Sequence, residues 1–294
     1  MKKIIFKGCG TAIATPFNNE GINYIEFEKL LEFQITNGAD AIIVCGTTGE
    51  AATMTDSERK EIIKFTVDIV DGRIPIIAGT GSNCTASAIE MAKFATNVGV
   101  DGILVVTPYY NKATQNGLIE HYKAIAEAVP YTPIIMYNVP SRTGVNISPE
   151  TCLELSKIEN IVAIKEASGN ISQVAKIASL CGDNLNIYSG NDDQVLPILS
   201  LGGLGVISVI SNIAPQQFSK MIKDYENGDI ESAKKIQLES LELIDALFCE
   251  VNPIPVKSAL NIIGYNFGNP RLPLTPISKE NYEKLSNAIT KFLK

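Results

Sequence analysis

IVAIKEAS, residues 161–168, reads as a strand buried on both faces that nevertheless carries a lysine. Period-2 alternation puts Ile161, Ala163, Lys165 and Ala167 on one face, and Val162, Ile164 and Glu166 on the other. Apolar residues occur on both faces, as in a strand of a parallel sheet that is covered on both sides. Seven further runs of this kind recur: GTAIATPF (10–17), ADAIIVCG (39–46), IPIIAGTG (74–81), DGILVVTPYY (101–110), PIIMYNVP (133–140), LNIYSG (185–190) and GVISVISN (205–212). As a group they are rich in Ile and Val and bounded by Gly, Pro, Asn or Asp.

Amphipathic segments alternate with the runs, among them YIEFEKLLEFQI (24–35), DSERKEIIKFTVDIV (56–70) and TASAIEMAKFATNVG (85–99). Asp56 and Thr85 stand where N-caps belong, and Gly72 and Gly99 fall just past helix ends. Eight strand–helix units over about 225 residues predict an α/β fold, the (β/α)8 TIM barrel. A doubly wound open sheet would need fewer strands and a glycine-rich dinucleotide turn, and neither G-x-G-x-x-G nor G-x-x-x-x-G-K-[ST] occurs. Past residue 225 the strand signal stops. ESAKKIQLESLELIDALF (231–248), VKSALNIIGY (256–265) and ISKENYEKLSNAITKFL (277–293) predict a C-terminal helical appendage. The expected organisation is a barrel with the active site over 1–225 and a helical region over 226–294.

The chain has 294 residues, 45% of them hydrophobic, and a net charge of −7, enough apolar material for a large core. The acidic balance gives no electrostatic support for binding nucleic acid or an anionic membrane. Six cysteines without a C-x-x-C pair read as reduced thiols of a cytoplasmic protein. The single histidine, His121, leaves no basis for a histidine metal site or a Ser–His–Asp triad. The N-terminus has too short an apolar run for a signal peptide, and no run of about 18 apolar residues spans a membrane.

A barrel builds its active site at the C-terminal ends of its strands. Here those ends are CGTTGE (45–50), TPYY (107–110), YNVPSRTG (137–144), KEAS (165–168) and SGND (189–192). Lys165 stands between small alanines that leave room for a ligand. Taking an ammonium out of water is costly, and the neutral amine is the nucleophile that forms Schiff bases with carbonyls. A lysine snorkelling at a strand end, or paired with a carboxylate, is the competing reading. Tyr137 falls at the equivalent depth of the adjacent strand, where a phenol can pass protons between a carbinolamine and the amine. Gly46-Thr47-Thr48-Gly49 offers backbone N–H groups and two hydroxyls to a small carboxylate, although such a turn is also ordinary.

Taken together, GTTGE (46–50), TPYY (107–110), YNVPSRTG (137–144), IKEAS (164–168), SGND (189–192), GVISV (205–209), NPIPVK (252–257) and RLPLTP (271–276) resemble the dihydrodipicolinate synthase family of pyruvate-dependent class I aldolases. The resemblance runs over essentially the whole chain. It implies Lys165 as the imine former with pyruvate, and Tyr137 as the proton donor and acceptor beside it. Thr48 and Tyr110 are implied as a proton relay to solvent, and Thr47 and Thr48 as holders of the pyruvate carboxylate. Arg142 would grip the carboxylate of the second substrate, while Gly190, through its backbone oxygen, and Ile207 would line the pyruvate site. No cofactor and no metal are called for.

The implied partners are pyruvate, L-aspartate 4-semialdehyde and further copies of the chain. The copies would form a homotetramer, a dimer of dimers in which Tyr110 reaches into a neighbour's site. The implied reaction condenses the two substrates to 4-hydroxy-tetrahydrodipicolinate. Two alternatives are a sister lyase acting on N-acetylneuraminate or a 2-keto-3-deoxy sugar acid, and a silent barrel that only binds. The lyase needs the same Lys165 and Tyr137, but typically has Ser-Thr in the turn and lacks the arginine. The completeness of the constellation argues against the silent barrel. In members that lysine inhibits, the positions of Asp56, Arg59 and Ser87 carry two histidines and a glutamate, so insensitivity to lysine is expected, even with Asn83 and Tyr109 retained. GGLG (202–205) is read as a tight helix-to-strand turn rather than a phosphate site.

Overall fold

The computed structural model describes residues 2–293. Eight parallel strands close into a barrel: β1 (Gly8–Ala12), β2 (Ala41–Val44), β3 (Ile76–Gly79), β4 (Gly102–Val106), β5 (Ile134–Asn138), β6 (Ile161–Glu166), β7 (Asn186–Ser189) and β8 (Gly205–Ser208). Their order around it is β1-β8-β7-β6-β5-β4-β3-β2. Every residue of β1, β2, β3, β5, β6 and β8 is buried, which is why the runs show little alternation in the sequence.

The helices are α1 (Tyr24–Thr36), α2 (Asp56–Val70), α3 (Thr85–Asn97), α4 (Gln115–Ala128), the short α5 (Pro140–Thr143) and α6 (Pro149–Leu155). They continue as α7 (Ile171–Cys181), α8 (Val195–Ser200), α9 (Pro215–Glu226), α10 (Ile230–Leu247), α11 (Ile254–Ile262) and α12 (Lys279–Phe292). The last three are the helices expected of the C-terminal stretch.

The chain divides into two compact units: Met1–Lys7 with Pro75–Ile207, and Gly8–Ile74 with Ser208–Lys294. In the first, the ladders of β3 to β7 run in parallel register. Phe6 stacks on Tyr188, whose hydroxyl donates to the Phe6 carbonyl at 2.6 Å. In the second, β1 pairs with β2 from Gly10 opposite Ala41 to Ala12 opposite Ile43. A two-stranded hairpin, Phe17–Asn18 with Gly21–Ile22, was not foreseen from the sequence.

Two expected N-caps are off by one residue. Thr55, not Asp56, caps α2: its hydroxyl accepts from Glu58 N while the Glu58 carboxylate accepts from Thr55 N. This reciprocal box needs a glutamate three residues after the cap, and only Thr55 has one. Asp56, already inside the helix, has its Oδ1 3.6 Å from Arg59 Nη1. Cys84 caps α3 without a side-chain bond, and the Thr85 hydroxyl pairs instead with His121 Nδ1 at 2.9 Å. GGLG is a tight turn: Gly202 has φ +90°, and a Cβ on Gly203 would meet Ile198 Cγ2 at 2.6 Å.

Candidate active site

In the first unit, Lys165 and Tyr137 face each other because of an irregularity in the β5–β6 ladder. Ile134 pairs with Ile161, but Ile135 pairs with Ala163, so the register slips by one residue. Tyr137 therefore comes level with Lys165, where an unbroken register would have set it against Ile164 on the opposite face. Lys165 is 6% exposed, and its Nζ lies 4.3 Å from the centroid of the Tyr137 ring. Among the described residues that amine has no ion pair and no hydrogen bond, so the paired lysine weighed from the sequence is not what is found. The adjacent carboxylate, Glu166, is turned to the other face. There it accepts from Asn138 Nδ2 (3.0 Å), Ser168 N (2.7 Å) and Gln173 Nε2 (3.1 Å), which saturates it away from the lysine.

Gly190 keeps the space beside Lys165 open. A Cβ there would lie 3.2 Å from Lys165 Cε and 2.6 Å from Ala167 Cβ. Ile207, buried in β8, follows Val206, the register partner of Ser189. Because Tyr188 is the partner of both Lys165 and Gly205, alternation puts Ile207 on the Lys165 face.

Arg142 and Tyr110 sit at the surface. Arg142 occupies the last turn of α5, which the Thr143 hydroxyl anchors by accepting from Thr107 Oγ1 (3.0 Å). Tyr110 is 85% exposed with φ +79°, a left-handed conformation uncommon outside glycine. Its phenol makes no hydrogen bond among the described residues, and the expected reach into a neighbouring copy lies outside the single chain.

In the second unit, the turn after β2 is bracketed by two left-handed non-glycine residues, Cys45 and Glu50, each with φ +56°. Gly49 could hold no side chain without crowding, since a Cβ would lie 3.1 Å from the Ile13 carbonyl oxygen, and its own carbonyl accepts from Thr15 Oγ1 at 2.8 Å. Thr47 is half-buried. Thr48 is 2% exposed and its hydroxyl accepts from Asn252 Nδ2 at 3.0 Å.

Glu50 accepts from Lys257 Nζ (2.7 Å) and from Arg271 N (2.9 Å). Lys257 also donates to the Asn269 carbonyl at 3.2 Å. Its Nζ and the Arg271 guanidinium both lie over the Phe17 ring, at 4.3 Å and 4.0 Å. Burial holds the Lys257 pKa below the ordinary lysine value, against the opposing pull of Glu50. Arg271 makes a two-pronged contact with Glu58, and that hydrogen bonding is the main cause that brings the Glu58 carboxyl down to about 2.

Asn252, Lys257 and Glu50 lie in the motifs GTTGE and NPIPVK but had no role assigned from the sequence. The available signals were a lysine within the apolar start of a helix, IPVKSAL, and a lone carboxylate ending a neutral turn. Among the described residues no group of three or more His, Cys, Asp or Glu is placed to hold a metal, and no helix is long and apolar enough to cross a membrane.

The model of the dihydrodipicolinate synthetase family matches residues 5–292. A 4-hydroxy-tetrahydrodipicolinate synthase of Thermoanaerobacter sp. (strain X514) is 57% identical over 289 residues, covering 98% of this chain and 97% of the relative. The crystal structure of dihydrodipicolinate synthase from Thermotoga maritima superposes with a TM-score of 0.96 at 44% identity, covering 98% of this chain and 99% of that one. The chloride-inhibited enzyme from Acinetobacter baumannii, complexed with pyruvate, gives a TM-score of 0.95 at 43% identity, covering 98% of this chain and 99% of that one.

Proposed function

The chain belongs to the dihydrodipicolinate synthetase family, and on that premise we propose that it condenses pyruvate with L-aspartate 4-semialdehyde through an imine on Lys165. The product is 4-hydroxy-tetrahydrodipicolinate, on the route to diaminopimelate and lysine. The observation that carries this reading is a buried lysine amine with no charge partner among the described residues, level with a tyrosine, in a space that Gly190 keeps clear.

The Lys165 amine adds to the pyruvate carbonyl carbon, and the carbinolamine loses water to give the imine. Loss of a methyl proton turns the imine into an enamine. Its terminal carbon bonds to the aldehyde carbon of the semialdehyde, whose oxygen takes up a proton. The amino group of the semialdehyde then adds to the imine carbon and Lys165 departs as the free amine, closing the ring.

In this mechanism Tyr137 gives and takes the proton beside the amine. Thr47 and Thr48 hold the pyruvate carboxylate, and Thr48 with Tyr110 carries protons to solvent. Arg142 holds the carboxylate of the semialdehyde by charge-assisted hydrogen bonds. Gly190 and Ile207 line the pyruvate site. The exposed Tyr110 phenol supports its use by a neighbouring copy, in a cytoplasmic homotetramer built as a dimer of dimers. The barrel, residues 1–225, carries the site and residues 226–294 form its helical appendage. Lysine is not expected to inhibit: Ser87 offers only a neutral hydroxyl, and the Asp56 carboxylate lies against Arg59.

Incubating the purified protein with pyruvate and aspartate semialdehyde, and separately with N-acetylneuraminate, tests the proposal. Product should form from the first pair alone. Pyruvate release from N-acetylneuraminate without any condensation would overturn it.

A further inference from the structure

A hydroxyl has one hydrogen and two lone pairs, so the partner it accepts from leaves its own hydrogen to be donated elsewhere. Thr48 accepts from Asn252 Nδ2 at 3.0 Å, and both residues are buried, Asn252 at 4% exposure. Among the described residues the Asn252 carbonyl oxygen is buried with no hydrogen-bond partner, so this side chain bonds through its donor end alone. Five residues on, Lys257 holds Glu50 at the end of the same turn. The segment entering α11 thus grips the turn at Thr48 and at Glu50.

We infer that Asn252 is a positioning residue for the reaction: by donating to Thr48 Oγ1 it leaves the Thr48 hydrogen free to be passed to substrate or relay. The inference rests on the proposed function, in which Thr48 handles protons and the pyruvate carboxylate. An amide is suited to this task. It donates without carrying a charge, whereas a carboxylate at the same place would accept, and would draw the Thr48 hydrogen to itself.

Asn252→Ala and Asn252→Asp in the full-length protein test this. The readouts are kcat, the KM for pyruvate, the fraction of chains that borohydride traps with pyruvate, and the exchange of pyruvate methyl protons in heavy water. The exchange reports proton handling without the second substrate. Per trapped site, Asn252→Ala should slow both kcat and exchange about tenfold, with the pyruvate KM moving less than about threefold. Asn252→Asp, nearly the same in shape, should be at least as slow. In a Thr48→Val background, Asn252→Ala should change nothing further, because the two residues act through one hydrogen bond.

Near-native activity of Asn252→Asp, or a lower melting temperature with unchanged exchange per trapped site, would overturn the inference. So would additive losses with Thr48→Val. If borohydride traps no pyruvate in the unmodified protein, the proposed function falls and takes the inference with it. If trapping succeeds while Asn252→Ala leaves exchange per site unchanged, the inference falls alone.

Discussion

Two buried lysines occupy opposite surroundings in this molecule. Lys257 is 0% exposed and its ammonium is held by the Glu50 carboxylate at 2.7 Å and by the Asn269 carbonyl. Lys165 is almost as buried, yet the carboxylate beside it in sequence is turned away and bonded to Asn138, Ser168 and Gln173. Each amine lies 4.3 Å from an aromatic ring, so the ring does not distinguish them. What differs is the charge partner and the space. A paired ammonium is committed to holding two segments together. Lys165 has no such partner among the described residues, and Gly190 leaves room beside it. Burial alone therefore does not separate the two lysines; the counter-charge does.

Replacing each lysine should separate the two roles. Lys165→Ala should lower kcat by more than about 10³-fold while leaving the melting temperature unchanged or higher, because no ion pair is broken. Lys257→Met should do the reverse. It leaves the Glu50 carboxylate buried without its cation, a loss of about 3–5 kcal/mol in a denaturant titration, with pyruvate still trapped on Lys165 in the folded fraction. Adding Glu50→Gln should restore part of that stability. Equal stability losses from the two lysine substitutions would break the comparison.

Smaller effects sharpen the boundary of each region. Arg142→Ala should raise the KM for the semialdehyde about 10- to 150-fold and the KM for pyruvate far less, since one charge-assisted contact is lost. Equal losses for both substrates would remove Arg142 from its proposed role. In the second region, the Glu58 carboxyl is depressed from 4.5 to about 2, chiefly by its hydrogen bonds from Arg271. A depressed carboxyl contributes stability that is full above the unfolded pKa and is lost as pH falls towards the folded one. Glu58→Gln should therefore be less stable than the parent at pH 7, with the gap closing between pH 4.5 and 2. A gap independent of pH would mean that the pairing is not its source.

Much of the first region was legible in the sequence. Parallel strands buried on both faces leave near-continuous apolar runs, and a lysine inside one is conspicuous against them. The depth of Tyr137 was also readable, although its level with Lys165 depends on a register slip between Ile134 and Ile135 that no residue type announces. The second region was less legible for a physical reason. Its ties join residues 204 and 207 positions apart, Thr48 with Asn252 and Glu50 with Lys257, and one chain position does not disclose such a partner. The caps of α2 and α3 failed locally. Adjacent residues were both able to cap α2, and the hydroxyl of Thr85 was drawn to His121 instead.

On the proposed function the unpaired lysine, and not the paired one, carries pyruvate. The most direct test is reduction with borohydride in the presence of pyruvate, followed by a peptide map of the modified chain. A stable adduct on Lys165, with Lys257 unmodified and labelling abolished in Lys165→Ala, is the result predicted. An adduct on Lys257 or any other lysine, or no adduct at all, would contradict the account.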